Sequence, residues 1–200
     1  MVKGSIVLAT EDQLSEEVGL KLAADAGLNV VQKLRQGGSG YLKKRIRNFC
    51  EIARQVPVVV LTDLDRQFCP VTMMWSWLQG QRPTPDLVFR VAVAEIESWV
   101  LADHRAISSL FKLQLGAIPR DPDALPDPKA TLIRLASRAP KIVRDDLVPR
   151  DSSISSQGLG YNKRLSDLVN TSWDPDRAAA RSPSLQRAQK ALRKLAVRLL

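Results

Sequence analysis

Cysteine and histidine are scarce in this sequence, and their scarcity excludes several kinds of site. The 200 residues include two cysteines and one histidine. Cys50 and Cys69 form no CxxC pair and provide no disulfide framework, which is the pattern expected of a cytosolic protein. Because His104 is the only histidine, most Ser–His and Cys–His hydrolase triads and histidine-rich zinc sites are excluded.

Long hydrophobic runs are also missing. No window approaches the ~18 consecutive apolar residues of a membrane-spanning helix, so we expect no membrane partner. The apolar run at residues 5–9 is too short for the core of a signal peptide and is soon followed by acids. No Gly-Lys-Ser/Thr phosphate loop occurs, so ATP hydrolysis is not expected. With 44% hydrophobic residues, the chain can still bury the core of one domain plus a small appendage.

Acidic residues are fewer than basic ones, and two stretches of the chain contain none. Lys and Arg number 30 against 21 Asp and Glu, which gives a formal net charge of +9. Residues 32–49 contain six basic side chains and residues 177–200 contain seven, with no acid in either stretch. Together these stretches favour nucleic acid, DNA or RNA, as a partner, because a polyanion gains affinity by counterion release. Each stretch alone fits a solvated basic face equally well.

The order of apolar runs predicts an α/β fold. Four short runs have the composition of buried parallel strands, and helical periodicity separates them. This β-α-β-α order is typical of a mainly parallel sheet with helices on both faces. After the fourth run, the pattern predicts one helix from about Glu95 to Phe111. The predicted strands occupy residues 5–9, 28–33, 57–62 and 87–93.

The character of the chain changes after about residue 115, where six prolines between residues 119 and 149 divide it into short pieces. We therefore predict an α/β catalytic core over residues 1–115 and a mainly helical, proline-interrupted extension over residues 116–200, packed on the core. One helix is expected at residues 129–138, and an amphipathic helix begins near Ser184. The apolar seam of this last helix suits either the core or an interface with a partner. The seam comprises Leu192, Leu195 and Leu199.

Acidic side chains follow three of the predicted strands. Ligands bind outside the carboxyl ends of the strands in an open α/β sheet, so we expect these acids to face one site. Asp63 and Asp65 are two residues apart on an extended segment and point the same way, so they can share a cation. Glu11 would complete an oxygen-only cluster suited to Mg²⁺ or Mn²⁺, with Glu95 or Glu97 as a further ligand. The alternative is that these acids form turns and cap helices.

The segment Val58-Val-Val-Leu-Thr-Asp-Leu-Asp-Arg66 resembles the Toprim motif of type IA topoisomerases and related nucleases. In that family a hydrophobic strand ends in Thr-Asp-x-Asp-Arg, and a glutamate follows an earlier strand, the position of Glu11 here. The resemblance covers roughly residues 3–105. It implies a Toprim-like fold that depends on Mg²⁺ and makes or breaks phosphodiester bonds.

The same resemblance implies roles for the acids. Glu11 would be a general acid/base or a metal ligand, and Asp63 and Asp65 would be catalytic metal ligands. The chain departs from the topoisomerases at residues 67–69, where Gln-Phe-Cys replaces their Glu-Gly-Glu.

A likeness to small bacterial Toprim-like proteins of unknown function runs nearly from end to end. A relation to the Toprim nucleases of phage-defence systems, often paired with an ATPase, implies an ATPase partner for this chain. The sequence segments shared with the small bacterial proteins are Glu-Asp-x-Leu-Ser-Glu at 11–16, Leu-Thr-Asp-Leu-Asp-Arg at 61–66, Arg-Val-Ala-Val-x-Glu-x-Glu-x-Trp at 90–99 and Asp-Pro-Lys at 127–129.

Two glycine-containing segments have the composition of nucleic-acid contacts. The loop at residues 37–40 and the cations after it suit a phosphate held at a helix N-terminus. Residues 158–164, Gly-Leu-Gly-Tyr-Asn-Lys-Arg, have the composition of a contact with single-stranded nucleic acid, made through the backbone and by stacking. The alternative is a glycine turn that leads into a helix. Arg66 either contacts phosphate or neutralises the carboxylates. The predicted nucleic-acid contacts are Lys43, Lys44, Arg45, Arg66, Lys163 and Arg164.

The leading hypothesis from the sequence is a Toprim-like, Mg²⁺-dependent nuclease. The main alternative is a non-catalytic Toprim-like module that docks on a partner such as an ATPase through the C-terminal seam. A small-molecule phosphatase fits the same acids but explains the basic stretches less well.

Overall fold

A four-stranded, all-parallel sheet lies at the centre of the computed structural model, which describes residues 4–65, 69–150 and 155–200. The prediction of a parallel sheet is confirmed, and each strand lies within two residues of its predicted limits. The strands are β1 (Ser5–Thr10), β2 (Asn29–Arg35), β3 (Val58–Asp63) and β4 (Leu87–Ala92). Their order across the sheet is β2-β1-β3-β4, so β1 and β3 are central and β4 lies at an edge.

Helices connect the strands and form most of the chain beyond the sheet, as predicted for the C-terminal region. None of the helices in the described ranges is long and apolar enough to cross a membrane. Between the strands lie α1 (Gln13–Asp25), α2 (Ser39–Ile52) and α3 (Pro70–Leu78). After β4 come α4 (Ile96–Ala102), α5 (His104–Phe111), α6 (Pro128–Ala136), α7 (Lys141–Leu147), α8 (Tyr161–Thr171), α9 (Pro175–Ala179) and α10 (Pro183–Arg198), with 3-10 turns at Leu115–Ala117 and Pro122–Ala124.

The sheet divides the hydrophobic core into two layers, because successive side chains of a strand point to opposite faces. In β1, Ile6 and Leu8 pack in one layer, and Val7 and Ala9 pack in the other. Apolar residues of α2 and α3 complete the second layer. Those of α1, α4 and the helices after α4 complete the first. Helices therefore cover both faces, and the C-terminal helices share a hydrophobic layer with the sheet.

The segment after β4 differs from the single helix predicted from Glu95 to Phe111. The chain leaves the helical conformation at Asp103 (φ −83°, ψ 82°), which separates α4 from α5. The Asp103 carboxylate is fully buried and accepts a hydrogen bond from the Ala106 N–H at 3.3 Å, which caps α5. It also binds the Arg177 guanidinium, with Nη2 and Oδ2 2.7 Å apart. Local periodicity missed the break because Arg177 lies 74 residues further along the chain.

The apolar seam of α10 is part of the core. Leu192 and Leu195 are each 2% exposed, and both pack in the layer formed with α1 and α4. Leu199 is partly buried against the same layer. The seam is therefore occupied within the chain, and it does not support the expectation that a partner docks there.

We expect Leu192→Ala to lower the free energy of unfolding by about 2–5 kcal/mol, because deletion of a buried leucine side chain leaves a cavity. Val197→Ala is the matched control on the same helix, where the residue is 73% exposed, and it should change stability by no more than about 0.5 kcal/mol. Urea unfolding followed by circular dichroism measures both values. Equal small losses would contradict the placement of the seam in the core.

Candidate functional site

Carboxylates lie together at the carboxyl ends of three neighbouring strands. Glu11 directly follows β1, Asp63 is the last residue of β3, and Glu97 lies just beyond β4 in the first turn of α4. Because β1, β3 and β4 are adjacent and parallel, their carboxyl ends lie side by side at the same end of the sheet. The topology therefore brings together acids that are far apart in the sequence.

Glu11 is fixed against the end of β3. Its Oε1 accepts hydrogen bonds from the Asp63 backbone N–H at 2.9 Å and from the Thr62 hydroxyl. Burial raises the pKa of the Glu11 carboxyl, the two hydrogen bonds oppose this shift, and repulsion from Asp65 and Asp12 adds to it. Thr62 and the backbone of Asp63 thus hold Glu11 in place, while its neighbours favour the protonated form.

The Asp63 carboxyl is strongly perturbed by its surroundings. Burial raises its pKa well above the usual value, and neighbouring carboxylates raise it further. Its Oδ1 is buried and has no hydrogen-bond partner among the described residues. A buried carboxylate oxygen without a donor is unfavourable, and so is the crowding of like charges. A bound cation would relieve both. The neighbouring acids are Glu11, Asp12, Asp65 and Glu97.

Two residues with left-handed backbone conformation hold the ends of β3 and β4 together. Asp65 (φ 51°) donates its N–H to the Ala94 carbonyl at 2.9 Å, and Ala94 itself has φ 61°. This conformation is uncommon for alanine and unfavourable by roughly 1–2 kcal/mol. Backbone strain of this kind is frequent at functional sites, where the surrounding structure maintains it. Residue 65 therefore does not have the extended conformation expected from the sequence. Asp65 is exposed as a whole residue, and partial burial of its carboxyl raises the pKa of that group.

Glu97 is held by a residue of the C-terminal region. Its side chain is buried, and burial raises the pKa of its carboxyl to about 7. The Tyr161 hydroxyl donates to Glu97 Oε1 at 2.8 Å, and the Lys129 ammonium lies 5.1 Å from the centre of the Tyr161 ring. Tyr161 is 1% exposed, so its ring cannot stack on a nucleic-acid base as residues 158–164 suggested. It forms instead a wall of the acidic cluster.

Glu95 has a different environment from Glu97. It precedes α4, and its Oε2 accepts a hydrogen bond from the Lys129 backbone N–H at 2.8 Å. Burial raises the pKa of its carboxyl, and repulsion from Asp65 contributes less. Glu97 is the acid of this pair that interacts with the buried Asp63.

A pocket of about 200 Å³ lies between the acids and the start of α2. Gly37 (φ 64°) and Gly38 (φ 83°) turn the chain into α2, and the Gly38 N–H donates to the Glu11 carbonyl at 3.2 Å. No side chain of the described residues caps α2, so its first N–H groups can receive an anion. The pocket is lined by Ser39, Lys43, Asp63, Asp65, Met73 and Trp77.

The basic stretch that precedes and includes α2 separates into paired and unpaired cations. Lys33 and Arg35 both bind Glu16 at 3.1 Å, which satisfies a carboxylate that is only 8% exposed. Lys43, Lys44 and Arg45 are exposed and make no ion pair with any residue in the described ranges. Lys43 is the one that lines the acidic pocket.

Lys163 and Arg164 do not line this pocket. Lys163 pairs with Asp167 at 2.9 Å, and Arg164 Nε donates to Asp146 Oδ2 at 2.8 Å. A Cβ on Gly158 would lie 2.3 Å from the Asp146 carbonyl oxygen, so this glycine is required by close packing. Arg66 lies outside the described residues.

The available donors fit a hard divalent cation in type. Glu11, Asp63 and Asp65 offer only carboxylate oxygens, which suit Mg²⁺ or Mn²⁺. In the described part of the chain, no three acidic, histidine or cysteine side chains already have the arrangement of a metal site. The side chains of this cluster would therefore have to move toward a cation.

Sequence reasoning missed three residues that shape the cluster. Tyr161 and Lys129 come from the C-terminal region, and no local pattern connects them with Glu97. Asp12 adds charge near Glu11 and Asp63 while its Oδ1 accepts from the Ser15 N–H at 2.8 Å, capping α1. Its position next to Glu11 in a helix-start pattern is the signal that identifies it.

Comparison of the chain with models of known protein families, with curated proteins and with solved structures finds no match. The Toprim-like resemblance therefore stays a prediction. The geometry and electrostatics of the site itself are what support a function for this protein.

We expect Glu97→Gln to gain stability relative to wild type as pH rises from about 4.5 to about 7. In this interval the folded protein retains a proton on Glu97 that the unfolded chain has lost, so wild-type stability falls as pH rises. Glutamine abolishes the titration and keeps an oxygen for Tyr161. Urea unfolding of both proteins across this interval measures the difference. A difference that does not change with pH would contradict the raised pKa.

Proposed function

We propose that this protein is a divalent-cation-dependent nuclease that hydrolyses phosphodiester bonds in nucleic acid. The observation that carries the proposal is the buried Oδ1 of Asp63, which has no hydrogen-bond partner among the described residues and lies among other carboxylates. The start of α2, which no described side chain caps, lies next to them. Crowded acids need a cation, and the start of α2 suits an anion. A phosphodiester with its bound cation satisfies both requirements.

Asp63 and Asp65 are the residues that would hold Mg²⁺ or Mn²⁺, with Glu97 in support and Glu11 either as a further ligand or as a general acid/base. When bound, such a cation polarises the phosphodiester and lowers the pKa of a water molecule. The raised pKa of the Asp63 carboxyl supports this assignment, because like charges in a buried site favour any group that neutralises them.

The chain's own residues would bind the phosphate and move a proton. The ammonium of Lys43 and the free N–H groups at the start of α2 would hold the phosphate oxygens. Glu11 has one carboxylate oxygen engaged by Thr62 and Asp63, which leaves Oε2 to exchange a proton with water. Its raised pKa favours this general acid/base role, because it brings the carboxyl closer to neutral pH.

Nucleic acid is the substrate class that the charge distribution favours. The net charge is +9, and the exposed face of α2 presents Lys44 and Arg45 near Lys43 without an ion pair to any described residue. Several exposed cations beside the pocket suit a polymer of phosphates better than a single small phosphate. Association with an ATPase and a role in phage defence are further proposals, which the Toprim-like resemblance alone supports.

A second candidate function, a non-catalytic module that binds a partner protein, is favoured by one observation. Val71 and Trp75 of α3 are 59% and 49% exposed, and they line an apolar groove with Met74, Leu78 and Pro83. Exposed apolar patches often mark interaction surfaces. With the seam of α10 buried, this groove is the surface that such a module would use.

We expect the purified protein to cleave at least one of single-stranded DNA, double-stranded DNA, single-stranded RNA and double-stranded RNA in Mg²⁺ or Mn²⁺, but not in chelator. Asp63→Asn should lower the rate by about 100-fold or more, since it removes a charge that binds the cation. Glu51→Gln, a side chain 64% exposed near the far end of α2, is the control and should retain full activity.

Gel electrophoresis of end-labelled substrates measures these rates. Cleavage that persists in Asp63→Asn would contradict the assignment of the site. No cleavage of any substrate would favour the non-catalytic module.

We expect Lys43→Gln to weaken oligonucleotide binding by about tenfold at low salt, and Lys44→Gln to weaken it by much less. The two variants lose the same charge at neighbouring positions, but only Lys43 lines the acidic pocket. Fluorescence anisotropy in Ca²⁺, which would support binding without turnover, measures both dissociation constants. Equal losses would show that the pocket plays no part in phosphate binding.

A further inference from the structure

A second pocket, of about 340 Å³, lies between the edge strand β4 and α10. Its walls include Arg90 and Val88 from the strand and Lys194 and Arg198 from the helix. Arg198 forms an ion pair with Asp86, the residue immediately before β4. This pocket therefore lies toward the amino end of β4, whereas the acidic cluster lies at the carboxyl ends of the strands.

Two buried polar atoms in this pocket have no hydrogen-bond partner among the described residues. They are Nε of Arg90 and the hydroxyl oxygen of Thr84. Arg90 alternates with Leu87 and Phe89, so its side chain extends on the face covered by α10. The guanidinium and the hydroxyl are both hydrogen-bond donors. Leaving buried donors unsatisfied is unfavourable, so the pair indicates a missing acceptor.

The charges around the pocket are also unbalanced. Asp86 is engaged by Arg198, while no described acid forms an ion pair with Arg90, Arg187 or Lys194. Burial lowers the pKa of the Arg90 guanidinium, and repulsion from Arg187 lowers it further. Arg90 and Arg187 repel each other beside a concave surface that Lys194 also lines. An anion in the pocket would remove the repulsion and accept the free hydrogen bonds.

We propose that this pocket binds a dianionic phosphate group, either as inorganic phosphate or as the phosphomonoester of a small molecule. The guanidinium of Arg90 can donate to two phosphate oxygens, the Thr84 hydroxyl to a third, and the Lys194 ammonium adds a charge from the opposite wall. This site is separate from the acidic cluster and does not depend on the proposed nuclease activity.

The number of cations favours a monoester over the backbone of nucleic acid. A terminal phosphate carries about two negative charges near neutral pH, whereas a phosphodiester carries one and is linked to the polymer on both sides. A concave pocket that Arg90 and Lys194 line, with Arg187 close to Arg90, suits the dianion better. Inorganic phosphate, a phosphomonoester and the nucleic-acid backbone all offer phosphate oxygens, so the experiment titrates each of them separately.

Isothermal titration calorimetry with two anions, inorganic phosphate and the phosphomonoester glycerol 3-phosphate, tests the proposal on the full chain, in chelator and at constant ionic strength set with chloride. An oligonucleotide without terminal phosphate is titrated for comparison. Wild type should bind at least one of these anions. Lys194→Gln should weaken binding by about tenfold or more, because it removes a charge without disturbing the core. Arg90→Gln should weaken it further. Lys190→Gln removes the same charge from an exposed position of α10 outside the pocket walls and should leave the affinity unchanged.

Chelator separates this site from the acidic cluster, because the proposed pocket needs no cation. Binding in chelator should therefore persist even if the nuclease proposal fails. Equal affinities of Lys194→Gln and Lys190→Gln would overturn the proposal, and so would wild type that binds neither anion. Binding confined to an oligonucleotide without terminal phosphate, and lost in Lys194→Gln, would also overturn it and assign these cations to a nucleic-acid backbone.

Discussion

The burial of Asp63 among other carboxylates is the constraint on which the rest of the site depends. The sheet order places β1, β3 and β4 side by side, so Glu11, Asp63 and Glu97 must crowd at one edge. Like charges that are buried together repel one another, and hydrogen bonds within the fold relieve this repulsion only in part. Thr62 and a backbone N–H bind Glu11, and Tyr161 binds Glu97, whereas Asp63 Oδ1 has no donor among the described residues. A group that neutralises Asp63 would therefore stabilise the whole cluster.

The C-terminal region contributes to the same site and to the same core. Tyr161 reaches Glu97, and the Lys129 backbone N–H reaches Glu95, so helices that follow the sheet hold both acids beyond β4. Arg177 meets the buried Asp103 at the break between α4 and α5. Burial of apolar side chains from these helices against the sheet accounts for their position. Changes in the C-terminal region should therefore affect the acidic cluster through Glu97 and Glu95.

The sequence predicts those parts of the structure that depend on local patterns. Apolar runs such as residues 57–62 identify the parallel strands, because buried strands leave a continuous hydrophobic signal. The predicted helix across Asp103 is wrong, because a buried ion pair with a distant arginine outweighs local periodicity. The contacts of Tyr161 and the pairing of Lys33 and Arg35 with Glu16 also escape prediction, since they join segments by tertiary packing. Composition alone does not distinguish these paired cations from unpaired ones, so it counts all of them as able to bind a polyanion.

The most direct test of the account is a calorimetric titration of the protein with Mn²⁺ in two buffers of different ionisation enthalpy. If Asp63 and its neighbours hold a cation, wild type binds Mn²⁺ and releases protons, because the metal displaces protons from carboxyls whose pKa burial has raised. Asp63→Asn should then bind at least about tenfold more weakly and release fewer protons. Equal affinity in wild type and Asp63→Asn, or no binding to wild type, would contradict the assignment of this cluster as a cation site.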